Sequence, residues 1–453
     1  MEPVNIAFIS LGCDKNLYDS EVMLGIIDAN GYNIVQNEED ADIIIVNTCG
    51  FIKEANEESI DNILRAAEYK QTGRLKAIIA AGCMVERYKD DIFKNLPEVD
   101  AVIGTNDIEK IADIIKEINS GKRNIMFVSG IEKNINPDYL LKRRITTLGG
   151  LAYLKIAEGC NNFCTYCTIP SIKGKYRSRP IEDIEAEAMR LSKLGVSELI
   201  IVAQDTALYG IDLYKEKTLS KLIRKLSEID GIKWIRLMYC YPENIDDSLI
   251  DEIASNKKVL HYIDMPIQHS CDTVLKRMGR KSTKEKLYKV IKKLREKISD
   301  ICIRTTVITG FPNETEKEFE ELCNFIKDIR FDRLGVFAYS REEGTPAYNM
   351  DNQIDEEVKI KRKNIILDMQ RDISEEKCKD FIGKEIEVIV EGRFENNGKK
   401  TYLCRSYRDC YEVDGYVFLD SENEYMSGDY VKVFVTGASY YDLIGVEADE
   451  SAQ

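Results

Sequence analysis

Apolar, β-branched runs alternate with segments of helical periodicity through residues 150–340 of this 453-residue chain. The runs predict six strands, at Leu151–Ala157, Glu198–Ala203, Trp234–Tyr241, Tyr262–Ile267, Cys302–Ile308 and Arg333–Tyr339. The segments after them predict helices at Ile181–Leu194, Thr218–Ile229, Asp246–Ala254, Thr283–Lys297 and Glu316–Ile329. Six strand–helix units in a row predict an α/β fold with a parallel sheet and outer helices. Because a closed TIM barrel has eight units, we expect an open, partial (βα)6 barrel.

Three cysteines follow the first of these strands on one short loop, Cys160, Cys164 and Cys167, with the spacing C-x3-C-x2-C. Ligands collect at the carboxyl ends of strands in such sheets, which is where this loop falls. An iron–sulfur cube prefers four cysteine ligands, so three leave one iron free to bind something else. A structural zinc site would use four ligands, usually as two separated pairs. The loop therefore indicates a cluster with an open coordination position.

A second set of cysteines lies in the first 120 residues. Each member follows, within two residues, a strand predicted by composition: Cys13 after Ile6–Leu11, Cys49 after Asp42–Asn47 and Cys83 after Ala77–Ala81. The separations of 36 and 34 residues (49 − 13 and 83 − 49) match the length of one βαβ unit, ~30 residues or more. The three thiols should therefore meet at one end of one parallel sheet.

Each of these cysteines also stands in a turn that contains glycine: Gly12, Gly50 and Gly82. Glycine lets the backbone come close to a bulky inorganic ligand because it has no Cβ. Three unrelated buried cysteines would show no such periodicity, so we predict a second cluster here.

The remaining segments divide the chain. Residues 119–144 form a polar connector with Pro137 and the basic run Lys142–Arg144, which predicts a linker. A charged helix is predicted at Glu356–Glu376. Short alternating strands then follow, at Glu385–Val390, Tyr416–Leu419 and Tyr430–Thr436, and indicate a small all-β barrel of ~70 residues. The predicted boundaries are 1–120 for the N-terminal cluster domain, 121–145 for the linker, 146–372 for the core and 374–448 for the barrel.

Charge and composition limit the partners. The net charge is −15 and the isoelectric point is near 5.0, which disfavours long-range attraction to nucleic acid or to an anionic membrane. No apolar run approaches the ~20 residues of a membrane helix. Met1–Asn5 opens directly into a strand-like run and lacks the pattern of a secretory signal, so a cytoplasmic location is expected. In that compartment the thirteen cysteines are metal ligands or buried fillers rather than disulfides.

With both cysteine sets in view, the chain resembles the radical S-adenosylmethionine methylthiotransferases over nearly its whole length. The resemblance is closest to the RimO type, the branch that modifies a ribosomal protein. The motifs that carry it are Ser10–Asn16 with Asp19–Glu21, Asn47–Ile52, Ala81–Cys83, Lys155–Cys167, Ile169–Arg179, Val202–Thr206 and Asp264–His269. Lys15-Asn16 favours the ribosomal-protein branch. Asp14 and Asn313 depart from it at two turn positions that supply no cluster ligand.

The resemblance implies two [4Fe–4S] clusters, S-adenosylmethionine as cofactor and a C-terminal TRAM barrel. It implies that Cys160, Cys164 and Cys167 bind the cluster that cleaves S-adenosylmethionine, and that Cys13, Cys49 and Cys83 bind an auxiliary cluster that delivers sulfur. Around the cofactor we expect Tyr166, Gln204, Asp205 and Gly310. A polar residue at a strand end is also often a helix cap, which is the alternative for Gln204 and Asp205. No catalytic residue is predicted beyond the cluster ligands.

Other residues have plainer interpretations. The basic tract Lys173, Lys175, Arg177 and Arg179 is either a solvated face or a set of cations that orients acidic groups near the cofactor. Trp234 is predicted in the core, and His261 and His269 are predicted to be hydrogen-bonded structural residues. The other seven cysteines have no ligand spacing and are interpreted as packing or surface thiols: Cys240, Cys271, Cys302, Cys323, Cys378, Cys404 and Cys410.

Three functions from different classes remain open on the sequence. The first is a transferase that adds a methylthio group to an aspartate β-carbon of the basic small-subunit ribosomal protein S-twelve, with an electron donor such as flavodoxin or ferredoxin. The second is a tRNA methylthiotransferase. The third, an iron–sulfur carrier, needs neither the six-unit core nor a second cluster domain. Residues 378–453 carry 8 basic against 16 acidic side chains, so the barrel is predicted to bind protein rather than RNA, and no membrane partner is expected.

Overall fold

The computed structural model describes residues 4–89, 91–131, 142–396 and 399–448. Residues 132–141 of the predicted linker lie outside the described part of the chain. The described residues form a parallel sheet of six strands, a second parallel sheet of six strands and a closed five-stranded barrel, together with a two-stranded ribbon. This architecture confirms the predicted fold class.

The N-terminal sheet is parallel throughout, and its strand order is 2-1-3-4-5-6. Its strands are Asn5–Ser10, Asn33–Ile34, Ile43–Thr48, Ala77–Gly82, Ala101–Ile103 and Ile125–Phe127. Its α-helices are Asp14–Ala29, Lys53–Thr72, Cys83–Tyr88, Asp91–Asn95 and Ile111–Asn119. The two central strands are buried at every residue, as expected for a parallel sheet with helices on both faces. The three predicted strands are confirmed, and Ile125–Phe127 adds a strand within the predicted linker.

The core sheet is also parallel, and its six strands lie side by side in sequence order. They are Leu151–Lys155, Glu198–Val202, Trp234–Leu237, Val259–Asp264, Cys302–Thr309 and Arg333–Ala338. The first and last strands are the two edges of this sheet, so the predicted partial barrel is confirmed. Ala157–Glu158 pairs with Arg177–Ser178 as a separate ribbon beside the first strand.

Helices cover the outer face of the core sheet. Apart from the short helix Ile169–Lys173, which follows Cys167, they are Ile181–Lys193, Leu219–Ser227, Asp247–Ser255, Asp272–Arg277, Lys284–Lys297, Glu316–Ile329 and Glu356–Lys379. Their buried faces and the sheet form one large apolar core. The sequence dictates several of the helix starts. Thr315 and Glu318, for example, form a reciprocal capping box.

The C-terminal barrel closes through the strands Glu385–Asn396, Lys399–Ser406, Val417–Asp420, Tyr430–Ala438 and Leu443–Glu447. The sequence predicted three of these five strands. Lys399–Ser406 was missed because it opens with two lysines and a threonine. Leu443–Glu447 was missed because it is short and has a glycine, Gly445, at its centre. Lys399–Ser406 pairs with Glu385–Asn396 and Val417–Asp420, and Leu443–Glu447 pairs with Val417–Asp420 and Tyr430–Ala438.

Buried ion pairs join the barrel to the core. Arg405 of the barrel donates to the carboxylate of Glu198 at 2.7 Å, and Arg236 of the third core strand donates to the same carboxylate at 2.8 Å. Arg333 of the last core strand donates to Asp409 of the barrel at 2.5 Å. A carboxylate that is buried between two guanidinium groups is strongly held in place, since loss of either partner leaves an uncompensated charge.

Charged side chains also join the N-terminal domain to the core. The Arg143 guanidinium lies 2.6 Å from Glu21 and 3.0 Å from Glu187, and all three side chains are fully buried. Arg143 belongs to the basic run of the predicted linker, so this part of the segment is an interface element. Among the described residues no helix combines the length and the apolar character needed to cross a bilayer.

Candidate active site between the two cysteine sets

The three N-terminal cysteine turns touch one another at one edge of their sheet. A Cβ added at Gly12, where φ is +87°, would lie 2.8 Å from the Cβ of Cys49. A Cβ at Gly50 would lie 2.7 Å from the backbone nitrogen of Met84, the residue after Cys83. These separations are shorter than real Cβ contacts, so only glycine lets the turns approach this closely. The predicted convergence of the three turns is therefore present in the structure.

Asn16 links these turns. Its side-chain amide donates to the carbonyl of Leu11 at 3.0 Å and to the carbonyl of Thr48 at 2.9 Å. The thiol of Cys83 lies 3.4 Å from the Asn16 Oδ1 atom. One buried side chain therefore contacts all three cysteine turns. The sequence identified Lys15-Asn16 only through resemblance, and the hydrogen bonds give the asparagine a physical role.

The thiols of this set are close enough to affect each other. Burial raises the pKa of Cys83 to about 12, and Lys173 opposes that change. The charges of Cys13 and Cys49 also raise the pKa of Cys83. Burial also raises the pKa of Cys49. This buried environment favours the protonated thiols. Because iron binds the thiolate form, cluster binding has to displace the thiol protons.

The core loop of Cys160, Cys164 and Cys167 is held by backbone hydrogen bonds. The N–H of Cys160 donates to Gly174, and the N–H of Cys167 donates to Cys164, at 3.1 and 3.0 Å. The N–H of Thr165 donates to the carbonyl of Met278 at 3.0 Å. Burial raises the pKa of Cys160 to about 11, with a smaller effect from the neighbouring Cys164. The three thiols of this loop also form one group.

Among the described residues, no three His, Cys, Asp or Glu side chains are arranged around a single metal ion. Each cysteine of an iron–sulfur cube binds a different iron atom, so cube ligands surround a volume rather than one ion. Two groups of three thiols on glycine-containing or tightly bonded loops have the donor chemistry that such a cube needs. That each set holds a cluster remains a prediction.

Polar groups without partners lie near the core cysteine loop. Asp205 is buried and accepts hydrogen bonds from the amides of Asn162, at 3.1 Å, and Asn244, at 2.7 Å. Burial raises the pKa of this carboxyl group to about 6. One carboxylate oxygen of Asp205 and the Oε1 atom of Gln204 are buried and have no hydrogen-bond partner among the described residues. Buried polar atoms are normally satisfied, so these two are suited to a polar ligand.

Arg280 adds a buried cation that the sequence did not identify. Its guanidinium carbon lies 4.1 Å from the centre of the Tyr241 ring, and its Nε and one terminal nitrogen have no hydrogen-bond partner in the part of the chain that the structure describes. The other terminal nitrogen donates to the carbonyl of Pro266 at 3.0 Å and forms an ion pair with Glu243 at 3.3 Å. The sequence does not predict a binding role for Arg280, because this residue is one of several cations in a turn before a helix.

Tyr166 and Gly310 have packing partners of their own. The Tyr166 ring meets Phe311 edge to face at a centroid distance of 6.4 Å, and burial raises the pKa of its hydroxyl. A Cβ at Gly310, where φ is +72°, would lie 2.3 Å from the Cγ of Lys359. The close approach of the Lys359 helix thus explains the glycine without a ligand. Contact of Tyr166 or Gly310 with the cofactor stays a prediction.

A network of four buried charges lies between the two cysteine sets. Lys173, in the helix after the core loop, lies 3.1 Å from Asp19 and 3.4 Å from Glu158. Lys155, at the end of the first core strand, forms ion pairs with the same two carboxylates. Burial alone would raise the pKa of Glu158, but the two ammonium groups hold it well below its usual range. The network fixes the segment after Cys13 against the segments that flank Cys160 and Cys167.

Two contacts at the turn of Cys49 complete this interface. The hydroxyl of Thr168, the residue after Cys167, donates to the carbonyl of Phe51 at 3.4 Å. Arg87, in the helix that begins at Cys83, donates to the carbonyl of Gly50 at 2.9 Å and to Glu342 at 2.8 Å. Both cysteine sets therefore border one shared interface.

The remaining sequence predictions have clear outcomes. The solvated-face interpretation of the basic tract is wrong for Lys173 and Arg179, which are buried, because carboxylates of the protein's own chain pair with them. Trp234 is buried, and His261 and His269 form hydrogen bonds with Asp300 and Glu314. The seven other cysteines are all buried, which confirms the packing interpretation.

A partial parallel barrel with a C-x3-C-x2-C loop after its first strand defines a radical S-adenosylmethionine enzyme. Three family models match the chain in agreement with this class. They are "Uncharacterized protein family UPF0004" at residues 5–104, "Radical SAM superfamily" at residues 154–326 and "TRAM domain" at residues 382–447.

Relatives identify the branch of this class. The chain is 49% identical over 446 residues to the "Ribosomal protein uS12 methylthiotransferase RimO" of Lachnoclostridium phytofermentans, covering 98% of this chain and 99% of the relative. Proteins of the same name from Thermoanaerobacter sp. and Clostridioides difficile are 49% and 48% identical, over 97% and 98% of this chain and 99% and 98% of theirs. The chain belongs to the RimO family of methylthiotransferases. Its cofactors are therefore S-adenosylmethionine and [4Fe–4S] clusters.

Solved structures agree on the fold. The radical S-adenosylmethionine methyltransferase TsrM from Kitasatospora setae, with cobalamin and a [4Fe-4S] cluster bound, has a TM-score of 0.57 at 12% identity. The match covers 84% of this chain and 76% of that chain. The cobalamin-dependent enzyme OxsB has a TM-score of 0.51 at 12% identity, over 80% of this chain and 56% of that chain. At this level of identity the likeness concerns the fold alone.

Proposed function

We propose that this protein adds a methylthio group to the β-carbon of an aspartate in ribosomal protein uS12. The observation that carries the proposal is the shared interface of the two cysteine sets, joined by the pairs of Lys155 and Lys173 with Asp19 and Glu158. Sulfur insertion at an unactivated C–H bond needs a radical that removes hydrogen and a nearby sulfur that captures the carbon. Two three-cysteine sites that border one interface meet both needs.

Each cysteine set has one role in this proposal. Cys160, Cys164 and Cys167 hold the cluster at which S-adenosylmethionine is cleaved, and their number leaves one iron open for the cofactor. Cys13, Cys49 and Cys83 hold the auxiliary cluster. When bound, the first cluster supplies the electron for cofactor cleavage and the second supplies the site of the transferred sulfur.

The unpartnered polar groups beside the core loop bind and orient the cofactor. The Arg280 guanidinium suits a carboxylate, and the free oxygen of Asp205 suits an ammonium or hydroxyl donor. S-adenosylmethionine carries all three kinds of group. Gln204, held by its amide on Glu158 at 2.9 Å, presents its free oxygen to the same region. Tyr166 and Gly310 are proposed to border the cofactor.

Charge supports a basic protein substrate. The barrel segment 378–453 has twice as many acidic as basic side chains, and two of its eight cations, Arg405 and Arg408, are buried. Asp409 of the same segment is buried as well, so the exposed surface keeps the acidic excess of the composition. It attracts a basic ribosomal protein and repels RNA phosphates. A substrate on the ribosome would also make the enzyme cytoplasmic, with a carrier such as flavodoxin or ferredoxin as electron donor.

The names of the relatives favour uS12 over tRNA as the substrate. The test is to incubate the reconstituted enzyme with S-adenosylmethionine, reductant and either purified uS12 or purified tRNA, and to measure the methylthio mass gain. We expect the gain on uS12, localised to an aspartate by fragmentation. A modified tRNA beside unmodified uS12 would overturn the proposal and support the tRNA alternative.

A further inference from the structure

A short basic turn rests directly on the core cysteine loop. The carbonyl of Met278 accepts a hydrogen bond from the N–H of Thr165, and the carbonyl of Arg277 accepts one from the Thr165 hydroxyl, at 3.0 and 2.8 Å. A Cβ added at Gly279 would lie 3.3 Å from the carbonyl oxygen of Phe163. The turn of Arg277–Gly279 and the loop of Cys160–Cys167 thus form one continuous surface.

Phe163 projects outward from this loop. It is 67% exposed, although it directly precedes Cys164, and its φ of +49° lies in the left-handed region. A side chain that is not glycine costs about 1–2 kcal/mol in this conformation. The loop therefore keeps a large aromatic ring in solvent at a conformational cost, immediately beside a predicted cluster ligand.

The segment that contains this turn has the opposite charge to the chain as a whole. Residues 270–297 contain 11 Lys and Arg against 3 Asp and Glu, whereas the whole chain has a net charge of −15. Several of these cations are used within the fold; Lys284, Lys293 and Lys297, for example, pair with carboxylates. Lys276 and Lys281, at the two ends of the turn, are exposed and form no side-chain ion pair or hydrogen bond with any residue that the structure describes. Nothing in the fold accounts for their charge.

We propose that Phe163, Lys276 and Lys281 form the docking surface for an acidic one-electron carrier protein. The inference rests on the proposed function, which requires an electron at the cluster of Cys160, Cys164 and Cys167. In the transfer, the reduced flavin or cluster of the carrier loses one electron and the enzyme's cluster gains one, and no covalent bond changes. Docking on the loop that holds the cluster gives the electron the shortest protein path.

The charges assign the two macromolecular partners to different surfaces. The basic turn repels a basic ribosomal protein, and the acidic barrel repels an acidic carrier. The two partners therefore do not compete for one site. A lysine-flanked aromatic ring also suits single-stranded RNA. The position of the ring on the cluster loop favours the electron carrier, and RNA is an outcome of the test.

The test uses the full-length reconstituted enzyme and purified flavodoxin. The variant carries Lys276→Glu and Lys281→Glu. A control with the same change in charge carries Lys193→Glu and Lys257→Glu, two exposed lysines beside the amino ends of core strands, at the opposite edge of the sheet from the cysteine loop. Binding of oxidised flavodoxin and, in parallel, of a single-stranded RNA is measured by fluorescence anisotropy. Cluster reduction is followed by absorbance in stopped flow, with reduced flavodoxin or with dithionite.

We expect the Lys276/Lys281 variant to bind flavodoxin roughly tenfold more weakly and to be reduced roughly tenfold more slowly at low salt. The difference should close as ionic strength approaches ~1 M, because screening removes steering. Reduction by dithionite and both measurements on the control should stay near the parent. The docking proposal would be overturned by equal losses of flavodoxin binding in variant and control, by unchanged flavodoxin binding in the variant, or by a loss confined to RNA binding. If the dithionite-reduced parent fails to modify uS12, the proposed function fails instead.

Discussion

The ammonium group of Lys173 lies 3.1 Å from the carboxylate of Asp19, and both side chains are buried. Each residue stands six positions after a cysteine, Lys173 after Cys167 and Asp19 after Cys13. One ion pair thus joins the polypeptide segment of the core cysteine set to that of the N-terminal set. The relative position of the two sites depends on this contact and on its partners Lys155 and Glu158.

Replacing Lys173 by methionine should uncouple the two sites. Asp19 and Glu158 would then share only Lys155, and breaking a buried pair costs about 3–5 kcal/mol. We expect the Lys173→Met enzyme to retain cleavage of S-adenosylmethionine but to transfer the methylthio group at least about tenfold more slowly. A tenfold lower rate corresponds to an activation free energy that is higher by about 1–2 kcal/mol. Liquid chromatography of deoxyadenosine and mass spectrometry of uS12 measure the two steps. Lys175→Met, at an exposed position two residues along, is the control, and equal losses in both variants would contradict the role of the pair.

Asn16 should be required for the N-terminal cluster alone. In Asn16→Asp, a carboxylate oxygen would face the carbonyls of Leu11 and Thr48, which now accept hydrogen bonds from the amide. An unsatisfied buried group costs about 1–3 kcal/mol, and a charged one more. We expect the variant to lose up to about half of the iron, since one of two four-iron clusters is affected. Iron and sulfide analysis after anaerobic reconstitution checks this. Asn62→Asp, at a partly exposed position of the helix Lys53–Thr72, should keep the parent's iron content; a full iron content in Asn16→Asp would contradict the prediction.

Two neighbouring arginines should differ sharply in their effect on stability. Arg143→Leu leaves the buried carboxylates of Glu21 and Glu187 without their common partner and should lower the free energy of unfolding by about 3–5 kcal/mol. The Arg144 guanidinium lies 3.9 Å from Asp28 at the surface. Replacing Arg144 by leucine should lower the free energy of unfolding by less than about 1 kcal/mol. Urea titrations of the metal-free protein, followed by circular dichroism, compare the two variants. Similar midpoints for both would show that the Arg143 network does not stabilise the domain interface.

The charge of the barrel should control substrate encounter. Glu385 and Glu387 are exposed on its first strand, and their replacement by lysine reverses the local field. We expect the double variant to bind uS12 roughly tenfold more weakly at low salt, with the difference shrinking as ionic strength rises through the screening range. Biolayer interferometry of the complex measures the effect. Glu228→Lys with Asp230→Lys, exposed at the end of a core helix, should bind like the parent, and the same loss in this control would assign the effect to net charge.

The parallel domains were predictable because their signals are local. Runs such as Ile43–Thr48 and the helices after each strand follow from hydrophobic period, and the carboxyl-end rule then places Cys13, Cys49 and Cys83 together. The barrel was predicted less completely. Strand Lys399–Ser406 pairs with Glu385–Asn396 and Val417–Asp420. The Asn397-Gly398 dipeptide before it is a hairpin signal from which this strand could have been predicted.

The interface residues were beyond sequence reasoning for a related reason. Lys173 and Arg179 belong to a run of cations that resembles a solvated face, and they are buried only because Asp19 and Glu187 lie opposite them in the fold. Arg280 was missed because its unpartnered nitrogen atoms are a property of the assembled site. A partner such as Asp19, which lies 154 residues before Lys173 along the chain, cannot be predicted from periodicity.

The central claim is that two separate three-cysteine sites each hold a cluster, and iron analysis of two triple variants tests it most directly. Replacing Cys160, Cys164 and Cys167 by alanine should leave about half of the parent's iron and abolish cleavage of S-adenosylmethionine, because three ligands of one cluster are lost together. Replacing Cys13, Cys49 and Cys83 should also leave about half of the iron, retain some cofactor cleavage and end methylthio transfer to uS12. If the second triple variant binds as much iron as the parent after anaerobic reconstitution, the N-terminal site holds no cluster and the account is wrong.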